Sequence, residues 1–112
     1  MDYDKNVYYY PETWDLTSLG EIDRSRGSYV YDTIVFWQHK ETKKIYSAQD
    51  SGCSCPIPFE DFNFLKDLTL VETLKQAKDL LDEFCGGSYS GEEVRVMHEV
   101  VELISKLHDL LP

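Results

Sequence analysis

Ser28-Tyr29-Val30-Tyr31-Asp32-Thr33-Ile34-Val35-Phe36-Trp37-Gln38-His39 reads as the best strand of the chain. Extended backbone sends successive side chains to opposite faces, so Tyr29, Tyr31, Thr33, Val35 and Trp37 share one side while Val30, Asp32, Ile34, Phe36 and Gln38 share the other. Large apolar groups stand on both. Such a strand is predicted to be central in its sheet and covered twice.

Working outward, Arg24-Ser25-Arg26-Gly27 reads as a turn, with Gly27 free to take positive φ. Thr17–Asp23 before it reads as a strand, although Leu19 and Ile22 break strict alternation. Lys40-Glu41-Thr42-Lys43-Lys44 makes a polar hairpin connection, and Ile45–Ala48 returns as a third strand. Three sequential strands joined by short turns predict an antiparallel meander over residues 17–49. Residues 1–15 form an acidic, aromatic arm with Tyr3, Tyr8, Tyr9, Tyr10 and Trp14, expected to lie over the sheet.

Residues 50–61, Asp-Ser-Gly-Cys-Ser-Cys-Pro-Ile-Pro-Phe-Glu-Asp, join this strand half to a helical half. Pro58, Glu60 and Asp61 suit the start of a short helix or turn near Pro58–Lys66. Thr69 with Glu72 matches a capping box, followed by Leu70, Leu74, Ala77, Leu81 and Phe84 at helical spacing. Gly86-Gly87 stops that helix, and Ser90 with Glu93 opens the last one, which ends by Pro112. The last helix carries two apolar stripes, Val94/Met97/Val101/Ile104/Leu111 and Val96/Val100/Leu103/Leu107/Leu110. So wide an apolar sector implies cover from two directions, by sheet and preceding helix or by a homodimer partner. The predicted fold is a single α+β domain over residues 1–112: a three-stranded antiparallel meander followed by a helical hairpin, residues 69–111, packed on one face of the sheet.

Eleven basic residues against 21 acidic ones give a net charge of −10. That balance argues against direct nucleic-acid binding and against anionic membranes, both of which need a basic footprint. It serves solubility or faces a basic partner. Residues 1–23 carry −5, Asp50 adds −1, 51–85 carry −4 and 86–112 carry −3, whereas 24–49 carry +3, so only the middle hairpin is locally basic. A nucleic-acid mimic would need carboxylates at phosphate-like spacing; here they are dispersed and interleaved with lysines. No basic n-region with an apolar h-region opens the chain, and no apolar run approaches a membrane span, so a soluble intracellular protein is expected. The three cysteines, an odd number, fit a reducing compartment.

Chemistry would have to come from the 50–61 segment. Cys53 and Cys55 with Cys85 and His39 could be assembled into a zinc set, which makes a small metal or redox module the alternative reading. Zinc knuckles space their cysteines C-x₂₋₄-C, however, and C-x-C is tighter, with no second pair following. A Cys53–Cys55 disulfide would close a very short, strained ring. A cysteine nucleophile would need a histidine in reach and a group to orient it; His39 is the nearest candidate in the strand half. No catalytic motif is present, and neither an enzyme nor a cofactor is expected.

Asp50-Ser51-Gly52-Cys53-Ser54-Cys55-Pro56 and Pro58-Phe59-Glu60-Asp61, preceded by Phe36-Trp37-Gln38-His39-Lys40 and Tyr46, resemble a block in a family of small uncharacterised proteins, a domain of unknown function, encoded by phages of actinobacteria. The resemblance covers roughly residues 8–68. It implies a phage origin and a host-cell cytoplasmic setting, with no catalytic residues to carry over. The expected function is non-enzymatic binding and modulation of a host protein. Asp50, Cys53, Cys55, Ile57 and Phe59 are the candidate contact residues, on a loop fixed at Gly52, Pro56 and Pro58.

Overall fold

The computed structural model describes residues 5–24, 30–53, 58–85 and 94–112. Four strands, β1 (Leu16–Asp23), β2 (Val30–His39), β3 (Ile45–Cys53) and β4 (Thr69–Val71), form one sheet in the order β1-β2-β3-β4. Every neighbouring pair is antiparallel. β2 lies inside the sheet, as its two apolar faces require: Ile34 and Phe36 are fully buried on one side and Val35 and Trp37 are at most 2% exposed on the other.

Two helices, α1 (Leu74–Phe84) and α2 (Val94–Leu110), cover the first face. Ile22, Ile34, Phe36, Ile45 and Val71 pack there against Ala77, Leu81 and Phe84 of α1 and Val96, Val100, Leu103 and Leu107 of α2. The second face is roofed by chain whose described residues form only turns and short 3₁₀ segments, the arm through Val7 and the β3–β4 connection through Phe59 and Leu68, closing over Leu16, Val35, Trp37 and Ala48. The expected α+β architecture, with both helices on one face and the arm on the sheet, therefore holds.

Three details depart from the sequence reading. The sheet has a fourth strand, because Thr69-Leu70-Val71 pairs with Ser47-Tyr46-Ile45 and buries Val71 under the helices. The Thr69/Glu72 capping box consequently does not start a helix. Thr73 does: its hydroxyl accepts from the Gln76 N–H at 3.1 Å, and the Gln76 side-chain oxygen accepts from the Glu72 N–H at 3.0 Å. Thr-x-x-Gln, four residues on, is the operating cap. Second, β3 runs beyond Ala48 to Cys53, so Asp50–Cys53 belong to the ladder opposite Val30–Thr33 and not to a loop. Third, the short helix expected near Pro58–Lys66 is a turn followed by a three-residue 3₁₀ segment, Leu65–Asp67. The Gly86-Gly87 stop, the Ser90/Glu93 cap and the Gly27 turn lie outside the described residues.

The broken alternation of β1 has a cause. Pairing shifts register between Ser18 and Gly20, leaving Leu19 as the extra residue of a bulge. A one-residue shift inverts the facing of every side chain beyond it. Leu16 therefore faces the arm layer, whereas Ile22, an even number of residues away, faces the helices. The bulge carbonyl of Leu19 accepts from Lys106 Nζ of α2 at 2.9 Å. α2 comes so close to the sheet here that a Cβ on Gly20 would stand 3.3 Å from Leu103 Cδ1. At the far end of β1, Arg24 Nη1 donates to the Phe84 carbonyl at 2.6 Å, placing a cation at the negative end of α1.

Of the two stripes on α2, Val96, Val100, Leu103 and Leu107 are core; Leu110 leaves that stripe and is exposed, as are Met97 and Val101. Among the described residues, no helix is long and apolar enough to cross a membrane.

Which threonine caps α1 is open to direct measurement. Thr73→Ala is expected to cost about 1 kcal/mol, and Thr69→Ala less than about 0.5 kcal/mol, in urea unfolding.

Candidate functional site

Asp50 is the hinge of the segment singled out by sequence. It lies on the arm-side face of β3, where its carboxylate accepts from the Phe59 backbone N–H at 2.7 Å, the Tyr31 hydroxyl at 3.2 Å and the Ser51 N–H at 3.0 Å. Tyr31 and Gly52 are direct cross-strand partners. The tyrosine lies over the glycine so closely that a Cβ there would meet its hydroxyl at 3.2 Å.

The bond to Phe59 matters because Phe59 has φ of 62°, a left-handed backbone that a bulky residue adopts only when its surroundings compel it. Two constraints do so. The Asp50 carboxylate fixes the amide, and the ring is enclosed by Tyr8, stacked at 5.6 Å between centroids, Trp37, edge-on at 6.0 Å, and Phe62, tilted at 5.4 Å. Phe59 is fully buried. It thus forms a structural corner and offers no surface to a partner, contrary to its expected place among contact residues.

Asn6 ties the arm to this corner. Nearly fully buried, it donates from Nδ2 to the Pro58 carbonyl at 2.9 Å and accepts at Oδ1 from the Tyr8 and Tyr9 N–H groups at 2.8 and 3.1 Å. The Tyr8 hydroxyl donates to Glu21 at 2.6 Å. Burial, reinforced by that carboxylate, pushes the phenol well above its ordinary ionisation range, so it remains a donor.

Of the other predicted site residues, Cys53 is the last backbone position of β3, and Cys55 and Ile57 lie outside the described residues. Cys85 is buried in the helix-side core, its N–H bonded to the Leu81 carbonyl. His39 is at the opposite end of the sheet from Cys53. Cys53 pairs with Val30, nine residues before His39, which separates them by roughly 30 Å at about 3.3 Å per residue. His39 therefore joins neither a metal set nor a catalytic pair with Cys53; its Nδ1 accepts from the Glu41 and Thr42 N–H groups and shapes the hairpin. Among the described residues, no three His, Cys, Asp or Glu side chains converge as a metal site requires.

The residue missed in sequence is Phe64. It is 62% exposed on the turn that follows the Phe59 corner. Asp67 holds that turn: one carboxylate oxygen accepts from the Asn63 and Phe64 N–H groups at 2.9 and 3.0 Å. These two backbone bonds keep the carboxyl below the usual aspartate range. Phe62, Leu65 and Leu68 anchor the turn from below by packing into the arm-side core. The Lys66 ammonium sits 5.4 Å from the Phe64 ring centroid. Asp67 at the third position of the Leu65–Asp67 segment was the available signal, since an acidic residue there reaches back to the backbone N–H of the residue that starts the turn.

Removing the Asp50 acceptor leaves the part-buried Phe59 amide unpaired, so Asp50→Ala is expected to cost about 1–3 kcal/mol in urea unfolding, with Asp50→Asn costing less. The Asp67 clasp has its own pH signature. Because folding depresses this carboxyl, its contribution is complete above the ordinary aspartate value and is lost as pH falls through the depressed one. The Asn63 and Phe64 amide proton resonances should titrate together with one midpoint below about 3.9, and Asp67→Asn should abolish that titration.

No curated protein and no solved structure matches the chain. Residues 5–109, spanning every element from the arm to the last turn of α2, match DUF7574, and the chain belongs to this family, a domain of unknown function.

Proposed function

We propose that this DUF7574 protein is a non-enzymatic binder: a small, acidic, phage-type protein that modulates a host protein in the host-cell cytoplasm. The observation that carries this reading is Phe64, a large apolar side chain turned to solvent on a turn whose backbone is already fixed. A preorganised aromatic loses little freedom on binding, which is why such residues concentrate interface energy. The Phe59 corner, Asn6 and Asp67 form the scaffold beneath it, and the contact role expected of Phe59 passes to its neighbour five residues on. Support for the setting comes from the resemblance of residues 8–68 to proteins of actinobacterial phages. The net charge of −10 favours a partner whose facing surface is basic.

Affinity capture from an actinobacterial host lysate, with wild type beside Phe64→Ala, tests the reading. Truncating an exposed side chain should shift stability by less than about 0.5 kcal/mol. The variant is expected to retain its fold and to lose the captured partner by about tenfold or more, the range for a binding anchor. Equal recovery of one partner by both proteins would sink the proposal.

A further inference from the structure

We infer that the groove at the foot of the sheet is a docking site for an acidic peptide segment carrying one large apolar side chain. The groove lies between the β2–β3 hairpin, β4 and the end of α2, and Asn63, Phe64 and Asp67 are not among the residues that line it. Ile45 and Val71 form its floor, Leu110 and Leu111 one wall, and Lys43 and Lys44 its rim. Leu110, at 42% exposure, is an apolar group the core leaves uncovered.

Charge decides which occupant fits. Only residues 24–49 of this strongly acidic chain carry a net positive charge, and two of their lysines border this groove. Both are exposed, and their backbone is held in place. Lys43 adopts φ of 64° in a hairpin closed by the Lys43 N–H to the His39 carbonyl at 3.0 Å and the His39 N–H to the Lys44 carbonyl at 2.8 Å. The Gln38 side chain adds a bond to the Lys43 carbonyl at 3.2 Å. Against the two cations stand the Glu72 carboxylate and the carbonyl end of α2, where the Pro112 carbonyl is already occupied by the Leu74 N–H at 2.8 Å. Two lysines beside apolar walls suit a segment that brings carboxylates to the rim and a Leu, Phe or Met side chain to the floor. A second copy of this chain, itself at −10, meets general repulsion and is the poorer occupant.

Selection of a random peptide library on the immobilised full-length protein tests this directly, with affinities of enriched peptides then measured by fluorescence anisotropy. The expected consensus combines two or more acidic residues with one large apolar residue. Joint Lys43→Glu and Lys44→Glu substitution should weaken those peptides about tenfold, and Leu110→Ser by a similar factor, while Phe64→Ala should leave them unchanged. Lys43→Gln with Lys44→Gln, which removes charge without reversing it, provides a second variant. Failure to enrich peptides, a neutral or basic consensus, or affinities indifferent to the lysine substitutions would overturn the inference. Self-association abolished by the same lysine substitutions would overturn it too, by giving the groove to a second copy.

Discussion

Burial of β2 on both faces is the constraint from which the remaining architecture follows. A strand with Ile34 and Phe36 on one side and Val35 and Trp37 on the other cannot be satisfied by a two-layer sandwich of sheet and helices. The chain meets the demand asymmetrically, with two amphipathic helices on one face and irregular backbone on the other. Irregular backbone over an apolar face leaves polar groups to be satisfied, and the side chains of Asn6 and Asp50 serve that need. The buried asparagine is thus part of covering Trp37.

The same constraint explains where sequence reading succeeded and where it ended. Two-sided apolarity in Ser28–His39 announced a central strand, and helical spacing announced α1 through Leu74, Ala77, Leu81 and Phe84, because each pattern records burial directly, although the same spacing also took in Leu70, which lies in β4. Leu19 and Ile22 announced an irregularity without naming it, since a bulge appears in sequence only as alternation losing its phase. Two overlapping caps, Thr69/Glu72 and Thr73/Gln76, are chemically equivalent locally. Pairing of Thr69–Val71 with Ile45–Ser47 selects between them, and that is a tertiary fact. For Phe59, nothing in a proline-flanked segment signals a left-handed phenylalanine, because the conformation is imposed from Asp50, nine residues away.

The candidate site divides similarly. Sequence reads residues 50–61 as one loop that turns strand into helix, whereas Asp50–Cys53 belong to β3 and β4 intervenes before α1, and it assigns contact roles by side-chain type alone. Phe59 and Phe64 are the same residue type, five positions apart, and the structure buries one while presenting the other. Position relative to the sheet face decides between them, and composition carries no record of it. Charge is likewise uneven along the chain, with residues 24–49 at +3 in a molecule whose net charge is −10.

The bulge at Leu19 also works as a reading-frame element. It converts an arm-facing parity at Leu16 into a helix-facing parity at Ile22, and Lys106 binds the carbonyl that the conversion sets free. A one-residue insertion or deletion in β1 would therefore not merely lengthen or shorten an edge strand. It would exchange which layer each half of the strand feeds, unless a second change created or erased a bulge. Homologous chains should accordingly keep β1 length, the bulge and a donor at the position of Lys106 together, or change all three at once.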